Sequence, residues 1–110
     1  MKVESRQANG STVVDIVGDI DLYNSPEIRK VLLEAIKQKN AQRVVVNLTG
    51  VKYIDSSGVA SLVEGLKVSR TVNVKFVLFG LSHAAKEVLE LSRLIKVFEV
   101  YENEEAALKG

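Results

Sequence analysis

Residues 55–58 read Asp-Ser-Ser-Gly and could carry chemistry because they stand between a buried strand and a helix. The β-branched run at 44–48 predicts the strand, and apolar residues at 59, 62, 63 and 66, spaced three and four apart, predict the helix. Amides in the first turn of a helix lack intrahelical acceptors and carry partial positive charge, so a phosphoryl group on Ser56 or Ser57 would be tolerated there. The same tetrapeptide is more commonly an ordinary helix cap, and alone it establishes no function.

A second polar segment, residues 18–24, reads Gly-Asp-Ile-Asp-Leu-Tyr-Asn and precedes another helix. Its carboxylates, Asp19 and Asp21, could bind a metal ion, but they lack the accompanying glycine and distal glutamate of a calcium-binding loop. Aspartates in such a loop more often form turns, which is the interpretation we favour. The sequence therefore predicts neither a metal site nor a cofactor.

Catalytic patterns are missing from the rest of the chain. The one histidine, His83, follows the helix cap expected at Ser82 and is predicted to lie on the surface, and there is no cysteine for thiolate chemistry or disulfides. Neither a Gly-x-Ser-x-Gly elbow, nor a Ser-x-x-Lys pair, nor a glycine-rich nucleotide loop occurs. We assign no chemistry to Tyr23 and Tyr53, which we expect to pack half-buried near the site. The prediction is a protein that is not an enzyme.

Length and charge narrow the class of protein further. The chain has 110 residues, which predicts one domain, and its 15 basic and 14 acidic residues are spread along it for a net charge of +1. No basic face is offered to nucleic acid or to anionic lipid. The apolar runs are too short for a membrane span or a signal peptide, so we expect a cytoplasmic protein.

Strand and helix patterns alternate from residue 11 onward, which predicts parallel pairing with right-handed crossovers. An Asn-Gly turn at 9–10 joins the first two strands as an antiparallel hairpin. Strands are predicted at 2–8, 11–18, 44–48, 74–79 and 97–101. The first helix is predicted to begin with Ser25 as its cap and to end near Asn40, and the second to begin at 55–58 after a turn at Gly50. Two further helices are predicted to follow caps at Ser82 and Asn103. The fold class is α/β, a mixed, mostly parallel sheet of four to five strands with an N-terminal antiparallel hairpin and about four helices.

Ligands and partners of such open sheets meet the loops at the carboxyl ends of the strands. Both polar segments are loops of this kind. If their strands are neighbours, Asp19 and Asp21 lie close to Ser56.

With both segments in place, the chain resembles the STAS family, specifically the anti-sigma factor antagonist type. The resemblance covers residues 1–110 as a single STAS-like domain, and rests on the hairpin, on Gly-Asp-Ile-Asp before a Ser-Pro helix start, and on Tyr-Ile-Asp-Ser-Ser-Gly at 53–58. It implies the STAS fold and a function as anti-sigma factor antagonist. In that family the serine after the aspartate, here Ser56, is phosphorylated by a partner that is both anti-sigma factor and serine kinase.

The resemblance also implies a binding surface and a set of partners. Ser57 is the alternative phosphate acceptor. Besides the kinase, a serine phosphatase is implied, and the oligomeric state, monomer or weak dimer, stays open. The chain departs from the family's Gly-Leu-Gly after the serines, since it reads Gly-Val-Ala and adds a methyl group at Ala60. The implied partner-binding residues are Asp19, Asp21, Asn24, Asp55, Ser56, Ser57 and Gly58.

One alternative stays open within the same family. Some STAS proteins are binding modules of sensory scaffolds or lipid-transport complexes, where the surface matters and phosphorylation does not. The methyl group at Ala60 favours this alternative, because it could interfere with docking on a standard kinase.

Overall fold

In the computed structural model, which describes residues 1–110, a five-stranded mixed sheet is combined with four helices, and the predicted fold class is confirmed. No helix combines the length and the apolar character that crossing a membrane requires. The elements are β1 (Lys2–Ala8), β2 (Ser11–Val17), α1 (Ser25–Ile36), β3 (Arg43–Gly50), α2 (Ser56–Thr71), β4 (Lys75–Phe79), α3 (His83–Leu91), β5 (Glu99–Tyr101) and α4 (Glu104–Lys109).

The sheet starts from the predicted hairpin. Asn9 and Gly10 have φ angles of 51° and 79°, the left-handed values that a two-residue hairpin turn requires, and Ala8 pairs with Ser11. The strands then follow in chain order from β1 to β5, and all pairs after the hairpin are parallel. Therefore β2 and β3 are neighbours and β3 lies at the centre of the sheet.

The two faces of the sheet are covered unequally. Side chains alternate between the faces along each strand, so residues in register share a face. The face that packs on α1, α2 and α3 carries Val14, Val46 and Leu78. The opposite face, covered by the short α4, carries Val13, Val45 and Val77. All six side chains are buried, which confirms β3 as a strand buried on both faces.

Several predicted boundaries are wrong by a few residues. Helix α1 has Asn24 in the cap position and Ser25 inside it, and the helix ends at Ile36 instead of near Asn40, whose φ of 66° lies outside the helical region. Gly50 belongs to β3 and not to a turn, because its carbonyl accepts the Gly18 amide at 3.0 Å. The caps expected at Ser82 and Asn103 are confirmed, since each side chain accepts an amide of its own helix.

Candidate functional site

The two polar loops meet at the carboxyl edge of the sheet. A parallel bridge pairs Ile20 with Ile54, beyond the ends of β2 and β3. The Ile20 amide donates to the Tyr53 carbonyl at 3.0 Å, and the Asp55 amide donates to the Ile20 carbonyl at 3.0 Å. Both isoleucine side chains are fully buried, so the loops are joined by backbone hydrogen bonds and by packing.

The start of α2 is capped by Asp55. One of its carboxylate oxygens, Oδ1, accepts the Gly58 amide at 3.0 Å, and its backbone carbonyl accepts the Val59 amide at 3.0 Å. The amides of Ser56 and Ser57 are thereby left as the donors of the first turn without an intrahelical acceptor. Because Asp55 serves as the cap, Ser56 is not needed for that structural role.

The two serines differ in exposure. Ser56 is the first residue of α2 and is exposed, whereas Ser57 is half-buried. A kinase active site must reach a hydroxyl from solvent, so this difference favours Ser56 as the phosphate acceptor over Ser57. The role of either serine in binding or phosphorylation stays a prediction.

Gly58 has a packing role in this joint. A Cβ atom added to it would lie 2.5 Å from Cγ1 of Ile54 and 2.6 Å from Cγ2 of Ile20, closer than real Cβ contacts come. Its lack of a side chain lets α2 start directly against the bridged loops. Because Gly58 is buried, a partner would contact the residues around it instead of Gly58 itself. Its inclusion among the partner-binding residues stays a prediction.

The loop at 19–24 is held by its own polar side chains. Asp21 Oδ1 accepts the amides of Tyr23 at 2.9 Å and Asn24 at 3.1 Å. Asn24 accepts the Asp21 amide at 2.8 Å and donates to the Asp19 carbonyl at 2.7 Å, which leaves its side chain no role as a cap of α1. Asp19 Oδ1 accepts the Tyr53 amide at 3.2 Å and so links this loop to the other. Asp21 therefore forms a turn as expected, whereas the carboxylate of Asp19 bridges the two loops.

The surface formed by these loops is acidic. Residues 18–28 and 53–63 contain four carboxylates and no lysine or arginine. Of the cations just outside these segments, Arg29 is paired with Glu64 on α2, and Lys52 is exposed. No group of His, Cys, Asp or Glu has an arrangement that could hold a metal ion. The four carboxylates belong to Asp19, Asp21, Glu27 and Asp55.

A shallow groove of about 450 Å³ runs from Ser56 along the exposed side of α2. Ala60, whose methyl group departs from the family pattern, is exposed on its wall. The groove thus places that methyl group on the surface next to Ser56. Its other lining residues are Val59, Val63, Glu64, Lys67 and Leu94.

Sequence reasoning missed two exposed apolar residues beside the site. Tyr23, expected to be half-buried, is 92% exposed, and the preceding Leu22 is 68% exposed. Tyr53 is 49% exposed, which agrees with the expectation of a partly buried ring. The only signal in the sequence was a pair of large apolar residues in an otherwise polar loop.

Comparisons with known proteins find relatives along most of the chain. Residues 2–107 match the family model for the STAS domain. The chain is 32% identical over 95 residues to an anti-sigma-B factor antagonist from Listeria monocytogenes, with 86% of this chain and 82% of the relative covered. It is 24% identical over 108 residues to an anti-sigma F factor antagonist from Paenibacillus polymyxa, with coverages of 98% and 92%.

Solved structures share the fold. The anti-sigma factor antagonist SpoIIAA in its unphosphorylated form matches with a TM-score of 0.79 at 22% identity, covering 96% of this chain and 92% of that one. The phosphorylated form of SpoIIAA from Bacillus matches with a TM-score of 0.73 at 21% identity, covering 98% and 97%. A sulfate transporter family protein from Wolinella succinogenes matches with a TM-score of 0.79 at 19% identity, covering 93% and 84%.

Proposed function

This chain belongs to the STAS domain family, and on that premise we propose that it is an anti-sigma factor antagonist, regulated by phosphorylation of Ser56. It binds an anti-sigma factor that is also a serine kinase, and the kinase releases it by phosphorylating it. Two observations support the proposal: relatives along most of the chain are anti-sigma factor antagonists, and SpoIIAA, which has the same fold, exists in phosphorylated and unphosphorylated forms. A serine phosphatase restores the binding form.

The observation that carries the proposal is the position of Ser56. It is exposed at the first residue of α2, next to two amides without intrahelical acceptors, and Asp55 already caps the helix. A phosphoryl group on Ser56 would face those amides and the positive end of the helix dipole, which favours it by about 0.3–1 kcal/mol. The fold therefore has no need to change when the serine is modified.

The carboxylates around Ser56 explain how phosphorylation would release the partner. A phosphoserine adds about −1.5 to −2 charges at neutral pH beside a surface that already carries four acidic groups. Docking would then have to strip the water from this charge, where the unmodified chain presents a neutral hydroxyl, and the neighbouring carboxylates cannot compensate it. That desolvation costs several kcal/mol, and each 1.4 kcal/mol changes the affinity about tenfold. Binding is strong before phosphorylation and weak after it, without a conformational change.

In this reaction the chain is the substrate and the kinase is the catalyst. The Ser56 hydroxyl oxygen attacks the γ-phosphorus of ATP, the bond to the β-phosphate oxygen breaks, ADP leaves, and the hydroxyl proton passes to a base of the kinase. The catalytic groups and the nucleotide site are all on the partner. Because the reaction consumes ATP, we expect it to take place in the cytoplasm.

Phosphate transfer tests the proposal directly. The protein is isolated with its natural partners, and the complex is incubated with ATP labelled on the γ-phosphate. We expect label on the wild type and on Ser57→Ala, the matched control, and none on Ser56→Ala. Ser56→Ala should stay bound to the partner, and Ser56→Asp should fold normally and bind weakly.

Two outcomes would contradict the proposal. Label on Ser56→Ala, or loss of label in Ser57→Ala with Ser56 intact, would place the acceptor elsewhere. Isolation with transporter subunits or scaffold proteins and without any kinase would favour the alternative function as a binding module that is not phosphorylated.

A further inference from the structure

We infer that Leu22 and Tyr23 form the apolar anchor through which this chain binds its partner, and that the partner offers an apolar pocket with a basic rim. This inference rests on the proposed function, because it concerns the partner of that same site. It adds the part of the surface that determines affinity, as distinct from the serine that regulates it.

Exposure is the first argument. Eight large apolar residues of the chain are exposed, and Leu22 and Tyr23 are the only two of them adjacent in sequence. At 68% and 92% exposure they contribute almost nothing to the core, so folding does not explain them. Tyrosines in such positions are frequent centres of binding energy in protein interfaces, because a large, stiff ring with a polar tip buries much area at little entropic cost.

Rigidity is the second argument. The Asp21 carboxylate accepts the backbone amides of Tyr23 and Asn24. The Asn24 side chain in turn accepts the Asp21 amide and donates to the Asp19 carbonyl. The Asp19 carboxylate ties the loop to Tyr53, itself half exposed. The backbone that presents the two apolar side chains is thus ordered before binding. An anchor on such a loop avoids much of the ordering entropy that a flexible loop loses in a complex.

Charge identifies the chemistry of the partner. The anchor lies within residues 18–28, which with 53–63 carry four carboxylates and no basic residue. A pocket lined by lysine or arginine at its rim complements such a surface, whereas an acidic rim is repelled. A second copy of this chain is a poor occupant, because two identical acidic surfaces would face each other across the interface.

Alanine variants of the anchor test the inference with the kinase that labels Ser56 as the probe. We expect the dissociation constant of the complex to rise about 30-fold or more for Tyr23→Ala, the size that defines a strong interface contact, and clearly for Leu22→Ala. Tyr23→Phe keeps the ring and should bind within about threefold of the wild type. Raising the salt concentration should slow association, as attraction between an acidic surface and a basic rim requires.

Val72→Ala is the control. Val72 is also an exposed apolar residue, but it is the C-cap of α2, about 24 Å along that helix from Ser56. Its affinity for the kinase should equal that of the wild type. All four variants should unfold at the wild-type urea concentration, since each changes an exposed side chain.

The outcomes separate this inference from the proposed function. If the kinase labels Ser56 in the wild type but Tyr23→Ala binds within about threefold, the anchor is refuted and the proposed function stands. If Tyr23→Phe loses as much affinity as Tyr23→Ala, the contact is polar and the anchor is not apolar. If association is insensitive to salt, the basic rim is refuted. If no kinase binds the wild type, both proposals fall.

Discussion

Substituting alanine for Gly58 tests whether close packing at this residue holds the two site loops together. The added methyl group would lie 2.5 Å from Ile54 and 2.6 Å from Ile20, and both of these side chains are fully buried. The same two residues form the bridge between the loops. Relief of the clash must therefore move either the start of α2 or the bridge itself.

The magnitude follows from two opposing effects. Forcing a methyl group into a packed core costs about 1–3 kcal/mol, and replacing glycine by alanine in a helix gains up to about 1 kcal/mol. We expect a net loss of about 1–2 kcal/mol in the free energy of unfolding. For a domain of this size, that lowers the thermal midpoint by roughly 5 °C.

Gly65→Ala is the matched control, because Gly65 is a buried glycine of the same helix. Its added Cβ would lie 3.0 Å from the ring edge of Phe76, a contact that a small movement of the ring can relieve. We expect Gly65→Ala to remain within about 0.5 kcal/mol of the wild type, since strain and helix propensity nearly cancel. Urea denaturation of both variants provides the measurement. If Gly58→Ala is as stable as Gly65→Ala, the packing argument is wrong.

Three further predictions concern the hydrogen bonds around the site and on the sheet. Asp55→Ala should lower the free energy of unfolding by about 1 kcal/mol through loss of the α2 cap, whereas Asp55→Asn should retain most of the cap's stabilisation. Urea denaturation of the two variants checks this, and equal stability of both variants and the wild type would contradict it. Asn24→Ala should speed amide hydrogen exchange at Tyr23 about fivefold and leave β3 unchanged, because it removes two hydrogen bonds that order the loop. On the sheet, the Arg6 guanidinium bonded to Asp15 at 2.6 Å, helped by Asn47, lowers the pKa of that carboxyl below its ordinary 3.8. A carboxyl whose pKa is lowered in the folded state stabilises the fold above pH 3.8, and this stabilisation is lost as the pH falls through the pKa of the folded state. Arg6→Met should therefore reduce the decrease in the free energy of unfolding between pH 7 and pH 3 by a few tenths of a kcal/mol, because the pair is partly exposed. Urea denaturation at the two pH values checks this, and an unchanged decrease would refute the role of the pair.

The aspartates of the site combine a structural role in the loops with an electrostatic role in the proposed release of the partner. Asp19, Asp21 and Asp55 each use Oδ1 to accept backbone amides within the chain. Their charge remains on the surface while their geometry is held by the loops. A phosphate on Ser56 would therefore meet carboxylates that cannot easily move away, so the chain offers it no compensating charge when docking removes its water.

Local patterns account for what the sequence predicted correctly. The Asn-Gly hairpin, the caps at Ser82 and Asn103, the helix start within 55–58, and the alternation of strand and helix are all confirmed, because each depends on residues within a few positions of one another. The error at Gly50 arises because a distant segment intervenes. Gly50 extends β3 because the neighbouring strand packs against its backbone, with Val17 close to its missing side chain.

The sequence by itself determined the order and type of the elements, the α/β class and the serine that a family resemblance singles out. Only the tertiary structure decided that the two polar loops are joined through Ile20 and Ile54, that Ser56 is more exposed than Ser57, and that Leu22 and Tyr23 stand out in solvent. The physical reason is that exposure and adjacency depend on atoms far away in the chain, which the order of the strands brings into contact. Helix caps and turns need only the atoms of their own segment.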